Sequence, residues 1–424
     1  MNKIDLSPVR KFFPALNKEF SGKKRIYLDG AGGTQVPQSV IDAMVDYLQN
    51  KNGNYGGYFD TSVQTDKLLV EVREKMADFL NAPDWKEVLL GPNMTTLTFS
   101  LVWAISREIK PGDEILLDRT AHGGNIDAWR SLKDYGAVIK YIDFSRDECM
   151  LDYETAEKLI GKKTKLIAVG LASNATGTIN DVKRLAGAAH KFGAMVFVDA
   201  VHAAPHIPID VVELDADFLV CSAYKFFGPH VGFLWGRADI LNRLDPYRPW
   251  AEISNDIPGK YILGTPNMEG FAGAAAALAY IEMIGNTFGE SFSKKFGNFS
   301  GKRLALKKAM AAVSEYELVL GLKLNDGLKN INGLKVYGIT DPSKFHLRCP
   351  TFSFTLNGHT SSEISKKMNE KGIFVWNGEE GFGAYELVKY LDLIKTGGLL
   401  RVSLEHYNTM DEIEFFLSSL EEIN

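Results

Sequence analysis

The chain has few of the sequence features that identify disulfide-rich, metal-binding, membrane and secreted proteins. Its three cysteines, Cys149, Cys221 and Cys349, are odd in number and far apart, so they form neither a disulfide framework nor a metal-binding pattern. No apolar run approaches the ~20 residues that span a membrane. The opening MNKIDLSPVRKFFPAL lacks the apolar core and cleavage site of a signal peptide. We expect a soluble, cytoplasmic protein without a metal site or a membrane span.

The chain also lacks a strong excess of charge of either sign. Its 48 basic and 53 acidic residues are interspersed and give a net charge of −5, which argues against a nucleic-acid or membrane-surface partner. A length of 424 residues with 45% hydrophobic content is too great for one simple core. We expect two domains, or one large domain with an appendage.

One glycine is missing from what would otherwise resemble a dinucleotide-binding motif. The predicted strand Arg25–Asp29 enters the turn Gly30-Ala31-Gly32-Gly33, but Gln35 stands where the third glycine belongs and Pro37 opens the next helix. The turn therefore does not predict a nicotinamide site.

Apolar runs and helical patterns alternate along the first two thirds of the chain. Predicted strands include Glu114–Asp118, Val138–Ile142, Lys165–Gly170 and one ending at Asp199, and this alternation is typical of an α/β fold with a mainly parallel sheet. Beyond Gly270 the pattern changes to long helices and short strands. We predict an N-terminal arm (1–24) that joins the small domain, a large domain (25–269) and a small C-terminal α/β domain (270–424).

Two side chains with complementary chemistry end neighbouring predicted strands. Asp199 ends one apolar strand, and Lys225 follows the strand Phe218–Cys221, at the sheet edge where open parallel sheets bind ligands. Taken alone, Lys225 fits an ordinary lysine after a strand. Together, a carboxylate that pairs with a pyridinium nitrogen and a desolvated lysine that forms a Schiff base predict a pyridoxal-phosphate site.

The surrounding motifs carry a family resemblance. VDAVH at 198–202 and SAYKFFGPHVGFLWG at 222–236 resemble the fold-type I pyridoxal 5'-phosphate (PLP) enzymes of the class V aminotransferase family, in its cysteine desulfurase-like branch. The resemblance extends from YLDGAGGTQVP to RVSLEHYNT. It implies a fold-type I PLP-dependent transferase architecture, with a mainly parallel seven-stranded sheet in the large domain and a smaller C-terminal α/β domain.

The resemblance also implies roles around the cofactor. Lys225 forms the Schiff base and acts as the base, Asp199 pairs with the ring nitrogen, His202 bonds the phenolic oxygen, and His122 stacks on the ring. Residues that hold the phosphate are Thr95, Thr96, Ser222 and Tyr224, completed by the partner subunit's Thr265, so a homodimer with shared active sites is implied. From the residues alone, Thr95-Thr96 could simply cap a helix, His122 could be a loop residue, and Thr265 could belong to a turn.

Three residues are candidates for binding the substrate. Arg401 lies in the apolar run Leu399–Leu404 and needs an anion, which could be an internal carboxylate. By resemblance it binds the α-carboxylate of an amino acid in bidentate fashion. Asn174 is implied to reach the phenolic oxygen or that carboxylate, though it could cap its own turn. The backbone near Ala31 is implied to line the pocket.

The chain departs from cysteine desulfurases at one motif. Their mobile loop carries a persulfide-forming cysteine in an arginine-x-glycine-x-x-cysteine context, whereas here Trp376 replaces the arginine and Gly381 the cysteine. We therefore predict a PLP enzyme of the carbon–sulfur lyase type without a persulfide cysteine. A class V aminotransferase and an amino-acid epimerase stay open. Substrate specificity is expected to lie in Tyr55–Phe59, Trp250–Ile257 and Trp376–Tyr385.

Overall fold

A computed structural model describes residues 4–20, 22–249 and 254–423. Residues 250–253 of the predicted specificity segment Trp250–Ile257 lie outside these ranges. The strands are β1 (Glu19–Phe20), β2 (Lys23–Lys24), β3 (Ile26–Tyr27), β4 (Val88–Gly91), β5 (Glu114–Asp118), β6 (Val138–Ile142), β7 (Thr164–Gly170), β8 (Met195–Asp199), β9 (Phe218–Ser222), β10 (Gly232–Gly236), β11 (Leu334–Tyr337), β12 (Thr351–Leu356), β13 (Ile373–Phe374), β14 (Trp376–Gly378) and β15 (Leu399–Ser403).

Helices cover these strands. They are α1 (Gln38–Asp46), α2 (Asp60–Leu80), α3 (Met94–Ser106), α4 (Gly123–Arg130), α5 (Tyr153–Leu159), α6 (Val182–His190), α7 (Ala238–Arg243), α8 (Met268–Phe288), α9 (Gly301–Asn330), α10 (Ser361–Glu370), α11 (Tyr385–Tyr390) and α12 (Met410–Glu421). In the described ranges, none of them combines the length and the apolar content that crossing a bilayer requires.

The largest sheet has seven strands in the order β4-β10-β9-β8-β7-β5-β6. The pairs β9–β8, β8–β7, β7–β5 and β5–β6 are parallel, and β10 is antiparallel to both of its neighbours. The carboxyl ends of β5, β7, β8 and β9 therefore meet at one edge. This is the mainly parallel sheet that the alternation of strands and helices predicts.

Alternating side chains anchor this sheet on both faces. In β8, Val196 and Val198 belong to one buried cluster with α2, α6 and α8, whereas Phe197 belongs to a second cluster with α3 and α4. Successive strand residues point to opposite faces, so a strand that is apolar throughout is one buried on both sides. This explains why the strands read as continuous apolar runs.

A second, antiparallel sheet has the order β11-β12-β15-β14. The N-terminal segment lies beside it: β3 pairs with β13 in a separate two-stranded sheet, and the Ser403 amide of β15 donates to the Leu28 carbonyl over 2.8 Å. Helix α8 packs on α1 and α2, and α9 contributes residues both to the first cluster and to a third cluster around the second sheet. The domain boundaries at 24 and 269 stay predictions.

Two helices are longer than the patterns predict. Helical spacing predicts helices over Asp66–Leu80 and Gly301–Leu320. Helix α2 begins earlier, at Asp60, and in its first turn the buried Ser62 hydroxyl accepts the Gly57 amide over 2.6 Å. Helix α9 continues past Leu320 to Asn330, and Gly321 and Gly327 in this extension weaken the local signal.

Candidate active site

A cavity of about 250 Å³ lies at the carboxyl edge of the seven-stranded sheet. The ends of β5, β7, β8 and β9 supply one wall, and the turn after β3 and strand β15 supply the other. The lining residues that sequence analysis singled out are Ala31, Thr95, His122, Asn174, Asp199, His202, Tyr224, Lys225 and Arg401. The structure thus brings together side chains from both ends of the chain.

Lys225 is the buried amine of this cavity. It ends a short 3₁₀ turn after β9, is 8% exposed, and donates a hydrogen bond from Nζ to the Ala31 carbonyl. Burial lowers its pKa to about 7, and the positive charge of Arg401 acts in the same direction. An amine with this pKa is partly neutral near neutral pH and can therefore act as a nucleophile or a base.

Asp199 is the carboxylate at the end of β8. It accepts a hydrogen bond from the Val201 amide over 3.0 Å. Burial raises its pKa to about 6, although the Val201 amide and the charge of Lys225 oppose the shift. The group is therefore ionised at neutral pH and suited to hold a cationic ring nitrogen.

Two histidines border the cavity in different environments. His202 is 4% exposed, its Nε2 has no hydrogen-bond partner, and burial holds its pKa well below the ordinary value. His122 is exposed, and its Nδ1 accepts the Gly124 amide over 2.9 Å. The protein around the ring and the charges of Lys225 and Arg401 lower its pKa. Both rings are neutral at neutral pH.

Of the predicted phosphate-binding residues at and beside the start of α3, Thr95 borders the cavity, and Thr96 and Ser222 do not. Thr96 is exposed. The helix is capped by Asn93, whose side chain accepts the Thr96 amide over 2.8 Å. Ser222 is buried behind the cavity wall, where its hydroxyl accepts the Met94 amide over 3.0 Å.

Tyr224 and Thr265 were also predicted to contact the phosphate. Tyr224 borders the cavity with its ring stacked on His230 at a centroid distance of 4.9 Å. Thr265 is exposed and lies outside the lining of this cavity. Its role toward a partner subunit stays a prediction.

Arg401 lies in β15 and is 3% exposed. Its Nη1 donates to the Asn174 carbonyl over 2.9 Å, its guanidinium lies 4.2 Å from the centre of the Phe382 ring, and its Nε has no partner. Burial lowers its pKa to about 9, opposed by the charge of Asp29. A buried guanidinium with a free N–H group can bind an incoming carboxylate.

Asn174 faces the same space. Its Nδ2 donates to the Phe382 carbonyl over 3.1 Å, while its buried Oδ1 has no partner. Buried polar atoms are rarely left unpaired. The unpartnered atoms of Asn174, His202 and Arg401 therefore mark where a polar ligand would bind.

Two acids near this cavity, the half-buried Asp29 and the fully buried Glu405, have no predicted role. Asp29 precedes the glycine turn, and burial raises its pKa to about 6. Glu405 follows β15, is fully buried, and has a pKa raised to about 8 by burial. In the sequence, Arg401 is identified as a charged residue in an apolar run. The same criterion, applied to acids that adjoin an apolar strand, could have identified Asp29 and Glu405.

The loop that the sequence predicts to stand in place of the persulfide motif is shaped for glycine. Gly381 has a φ of 79°, and a Cβ there would overlap the Val388 side chain and the Ala384 carbonyl. Among the described residues, none of the three cysteines borders the cavity. All three are buried, and burial raises the pKa of each thiol, that of Cys149 to about 12.

Comparisons with known proteins agree with this geometry. A family profile described as aminotransferase class-V matches residues 26–305 and 300–416. A probable cysteine desulfurase from Synechocystis is 31% identical over 97% of this chain and 94% of its own. A cysteine desulfurase from Haloferax volcanii is 27% identical over 99% and 96%.

Solved structures show the same architecture. The apo cysteine desulfurase from Thermococcus onnurineus superimposes with a TM-score of 0.85 at 26% identity, covering 98% of this chain and 97% of that one. The cysteine desulfurase CsdA from Escherichia coli gives a TM-score of 0.82 at 24% identity over 99% and 98%, a likeness of fold alone. The predicted fold-type I architecture and the family resemblance are confirmed.

Proposed function

Because the chain belongs to the aminotransferase class-V family, whose members depend on PLP, we propose that it binds PLP at Lys225 and acts as a carbon–sulfur lyase on an α-amino acid. The observation that carries this proposal is the convergence of Lys225, Asp199 and Arg401 on one cavity. A buried amine, a buried carboxylate and a buried guanidinium match the aldehyde, the ring nitrogen and the substrate carboxylate respectively.

The residues present fit the cofactor. Lys225 would hold the aldehyde carbon and Asp199 the ring nitrogen, with the neutral His122 ring against the face of the pyridine. The unpartnered Nε2 of His202 and Oδ1 of Asn174 are available for its phenolic oxygen and for the substrate. Thr95 and Tyr224 are the phosphate-binding candidates that border the cavity. When bound, PLP supplies an electron sink for negative charge that develops on the substrate α-carbon.

The protein's own groups would carry out three tasks. Arg401 binds the α-carboxylate and fixes the orientation of the substrate. Lys225 in its neutral form accepts the α-proton, for which a pKa of about 7 is well matched. Asp199 stays ionised near neutral pH and so maintains a positive charge on the ring nitrogen.

The fate of the sulfur follows from the missing thiol. In the described residues no cysteine borders the cavity, and Gly381 occupies the loop position of the persulfide cysteine. With L-cysteine the sulfur would therefore leave as sulfide, and hydrolysis of the remaining three-carbon fragment by one water molecule would give pyruvate and ammonia. The same absence favours a second candidate, a class V aminotransferase or amino-acid epimerase, because removal of the α-proton is common to these reactions.

The proposed assembly is a homodimer in which Thr265 reaches the partner's phosphate site. Its exposure outside the cavity of its own chain supports this assignment. The proposed location is the cytoplasm, supported by three unpaired cysteines.

The test combines covalent mapping with product analysis. PLP-loaded protein is reduced with borohydride, digested and analysed by mass spectrometry, which should find the cofactor on Lys225. The same preparation is incubated with L-cysteine, and pyruvate, sulfide and alanine are quantified. Pyruvate and sulfide in equal amounts would support the lyase. Alanine as a product would mean that a persulfide forms and would refute the prediction that this route is absent.

Two variants complete this test. Lys225→Ala should lose both the adduct and turnover, and full activity in it would refute the assignment. The matched control is Lys260→Ala, which removes another buried lysine outside the cavity whose Nζ donates to the Asn242 carbonyl over 2.7 Å. If neither sulfide nor pyruvate forms, coupling to a keto acid tests transamination, and loss of optical activity tests epimerisation.

A further inference from the structure

Three buried ionisable side chains lie behind the cofactor cavity. His206 and Glu317 are each 1% exposed, and Glu405 is fully buried. His206 Nδ1 lies 2.8 Å from Glu317 Oε2, and its Nε2 lies 3.9 Å from Glu405 Oε1. The imidazole thus stands between two carboxylates and presents a different nitrogen to each.

Several polar atoms of this cluster have no hydrogen-bond partner. They are His206 Nε2, Glu317 Oε1 and both carboxylate oxygens of Glu405. The three donor groups lie within 4.8 Å of one another, as in a metal site. However, Nδ1 already contacts one carboxylate and Nε2 faces the other, an arrangement that favours proton sharing over coordination of one ion at one nitrogen.

Glu405 connects the cluster to the cofactor cavity. A Cβ at Gly30 would overlap the Glu405 carboxylate, and Gly30 precedes Ala31, whose carbonyl accepts the hydrogen bond of Lys225. The negative charge of Glu405 raises the pKa of Lys225 against the effect of burial. In return, Lys225 lowers the pKa of Glu405, while burial and the charge of Glu317 raise it.

The other end of the cluster borders a second cavity. This cavity has a volume of about 320 Å³, and His206 and Glu317 contribute to its wall. Lys295, Leu318 and His346 also line it and are exposed. The cavity therefore extends to the protein surface on the far side of the cluster from Lys225.

We propose that Glu405, His206 and Glu317 form a proton relay that shifts one negative charge between the Lys225 end and the second cavity. In one state Glu317 is a neutral acid that donates to Nδ1, and Nε2–H faces an ionised Glu405. With a pKa of about 8, this ionised form of Glu405 is the minority at neutral pH and the majority above pH 8. In the other, the Glu317 proton has moved to Nδ1 and the Nε2 proton to Glu405. Each transfer breaks one bond to hydrogen and forms another, so no proton is gained or lost.

The relay acts on the reaction through Lys225, so its members are positioning residues. An ionised Glu405 favours the ammonium form of Lys225. When Lys225 loses its charge, the negative charge moves to Glu317, beside the solvent-connected cavity. The effect of the relay on the reaction rests on the proposed function, but its effect on the protonation of Lys225 does not.

Other titratable groups face these residues. They are Asp29, Asp199, Tyr224, His122 and Arg401 around Lys225, and His202, His406 and Cys349 around the relay. Burial lowers the pKa of His406 to about 3, and its Nε2 lies 2.7 Å from the Tyr280 hydroxyl, so it carries no charge at neutral pH. The substitutions that test the relay, Glu405→Gln and Glu317→Gln, leave all of these groups in place.

The relay is tested by measuring the apparent pKa of Lys225 in the full-length chain before cofactor is added. Lysines are labelled competitively with acetic anhydride across a pH series, and mass spectrometry quantifies the peptide that contains Lys225. Glu405→Gln removes the nearby negative charge and should lower this pKa by roughly one unit. Glu317→Gln removes the competing carboxylate, keeps the negative charge on Glu405, and should raise it.

Glu315→Gln is the matched control. Glu315 lies on the same helix α9 and borders the second cavity, but it does not contact His206, so the pKa of Lys225 should not move. An independent readout is infrared spectroscopy of the carboxylic-acid C=O band, which should be present in the wild-type chain at neutral pH. The band should change in both relay variants and stay the same in the control.

The relay predicts that the pKa of Lys225 falls in Glu405→Gln and rises in Glu317→Gln. A purely structural role of these two residues would not produce shifts of opposite sign. Shifts in the same direction, or no shift in either variant, would overturn the relay, as would a divalent metal that copurifies in equal amount and is lost in Glu317→Gln. If Glu405→Gln does not fold, the rise in Glu317→Gln decides alone. A failure of PLP to attach would refute the proposed function and leave these measurements intact.

Discussion

Replacing Arg401 should raise the stability of the protein and abolish its activity. Its guanidinium is buried beside the cavity, its Nη1 donates to the Asn174 carbonyl, and among the described residues its Nε has no partner. We expect Arg401→Met to make the substrate-free protein more stable to heat and to abolish its use of α-amino acids. Methionine fills a similar volume without a charge.

The size of the gain follows from the pKa of Arg401. Burial lowers it from 12.5 to about 9, and at about 1.4 kcal/mol per unit the buried charge costs the folded state ~5 kcal/mol. The substitution also removes a hydrogen bond worth ~1 kcal/mol and the contact with the Phe382 ring, worth ~2 kcal/mol. The net stabilisation is ~2 kcal/mol. With an unfolding entropy of ~2.1 cal/mol/K per residue and 424 residues, the melting temperature should rise by ~2 °C.

The pH dependence of this gain has a definite sign. A cation whose pKa is lower in the folded than in the unfolded state destabilises the fold at every pH below the folded pKa. The difference between Arg401→Met and wild type should therefore be full below pH about 9 and should shrink as the pH rises toward 12.5.

The assay is scanning calorimetry of the cofactor-free protein, with Arg348→Met as control. Burial also lowers the pKa of Arg348 to about 9, but its guanidinium donates to the backbone carbonyls of Ile339, Thr176 and Thr351. Its loss leaves these carbonyls unpaired and should lower the melting temperature. The reasoning is refuted if Arg401→Met is destabilised as strongly as Arg348→Met, or if it keeps its turnover.

Three further predictions follow from the site. The rate at which PLP attaches to Lys225, followed by absorbance, should rise as the pH increases through about 7, because only the neutral amine attacks; a rate independent of pH from 5 to 9 would contradict this. Gly381→Cys should lower the melting temperature, since a φ of 79° and overlap with Val388 strain the loop by ~1–3 kcal/mol, and it should not produce alanine from L-cysteine. Thr265→Val should weaken PLP binding in a fluorescence titration without changing the melting temperature of the cofactor-free chain, whereas unchanged affinity would remove Thr265 from the phosphate site.

The inner strands of the central sheet could be predicted because they are buried on both faces. Strand β5 has the predicted bounds and β8 ends at Asp199 as predicted, since continuous apolar runs between helices leave little ambiguity. The partly exposed edge strand β6 also has the predicted bounds. Lys225 and Asp199 could be found for the same reason, because polar residues that end such runs stand out.

Residues whose position depends on tertiary contacts could not be resolved in this way. Thr95 and Thr96 are adjacent in the sequence, but only the fold determines that Thr95 borders the cavity and Thr96 does not. Asp29 and Glu405 are single acids whose burial requires the two ends of the chain to meet. Their environment is thus a property of the assembled sheets rather than of any local pattern.

The charges at this meeting point favour anionic ligands. Burial lowers the pKa of both Lys225 and Arg401, and the charge of Arg401 lowers that of Lys225 further. Burial raises the pKa of Asp29 and Asp199 to about 6, so both are ionised at neutral pH, whereas the pKa of Glu405 is raised to about 8 and this carboxyl is ionised only in part. A phosphate and an α-carboxylate would supply further negative charge within the same walls. Anionic ligands bound here would therefore stabilise the fold as well as the substrate complex.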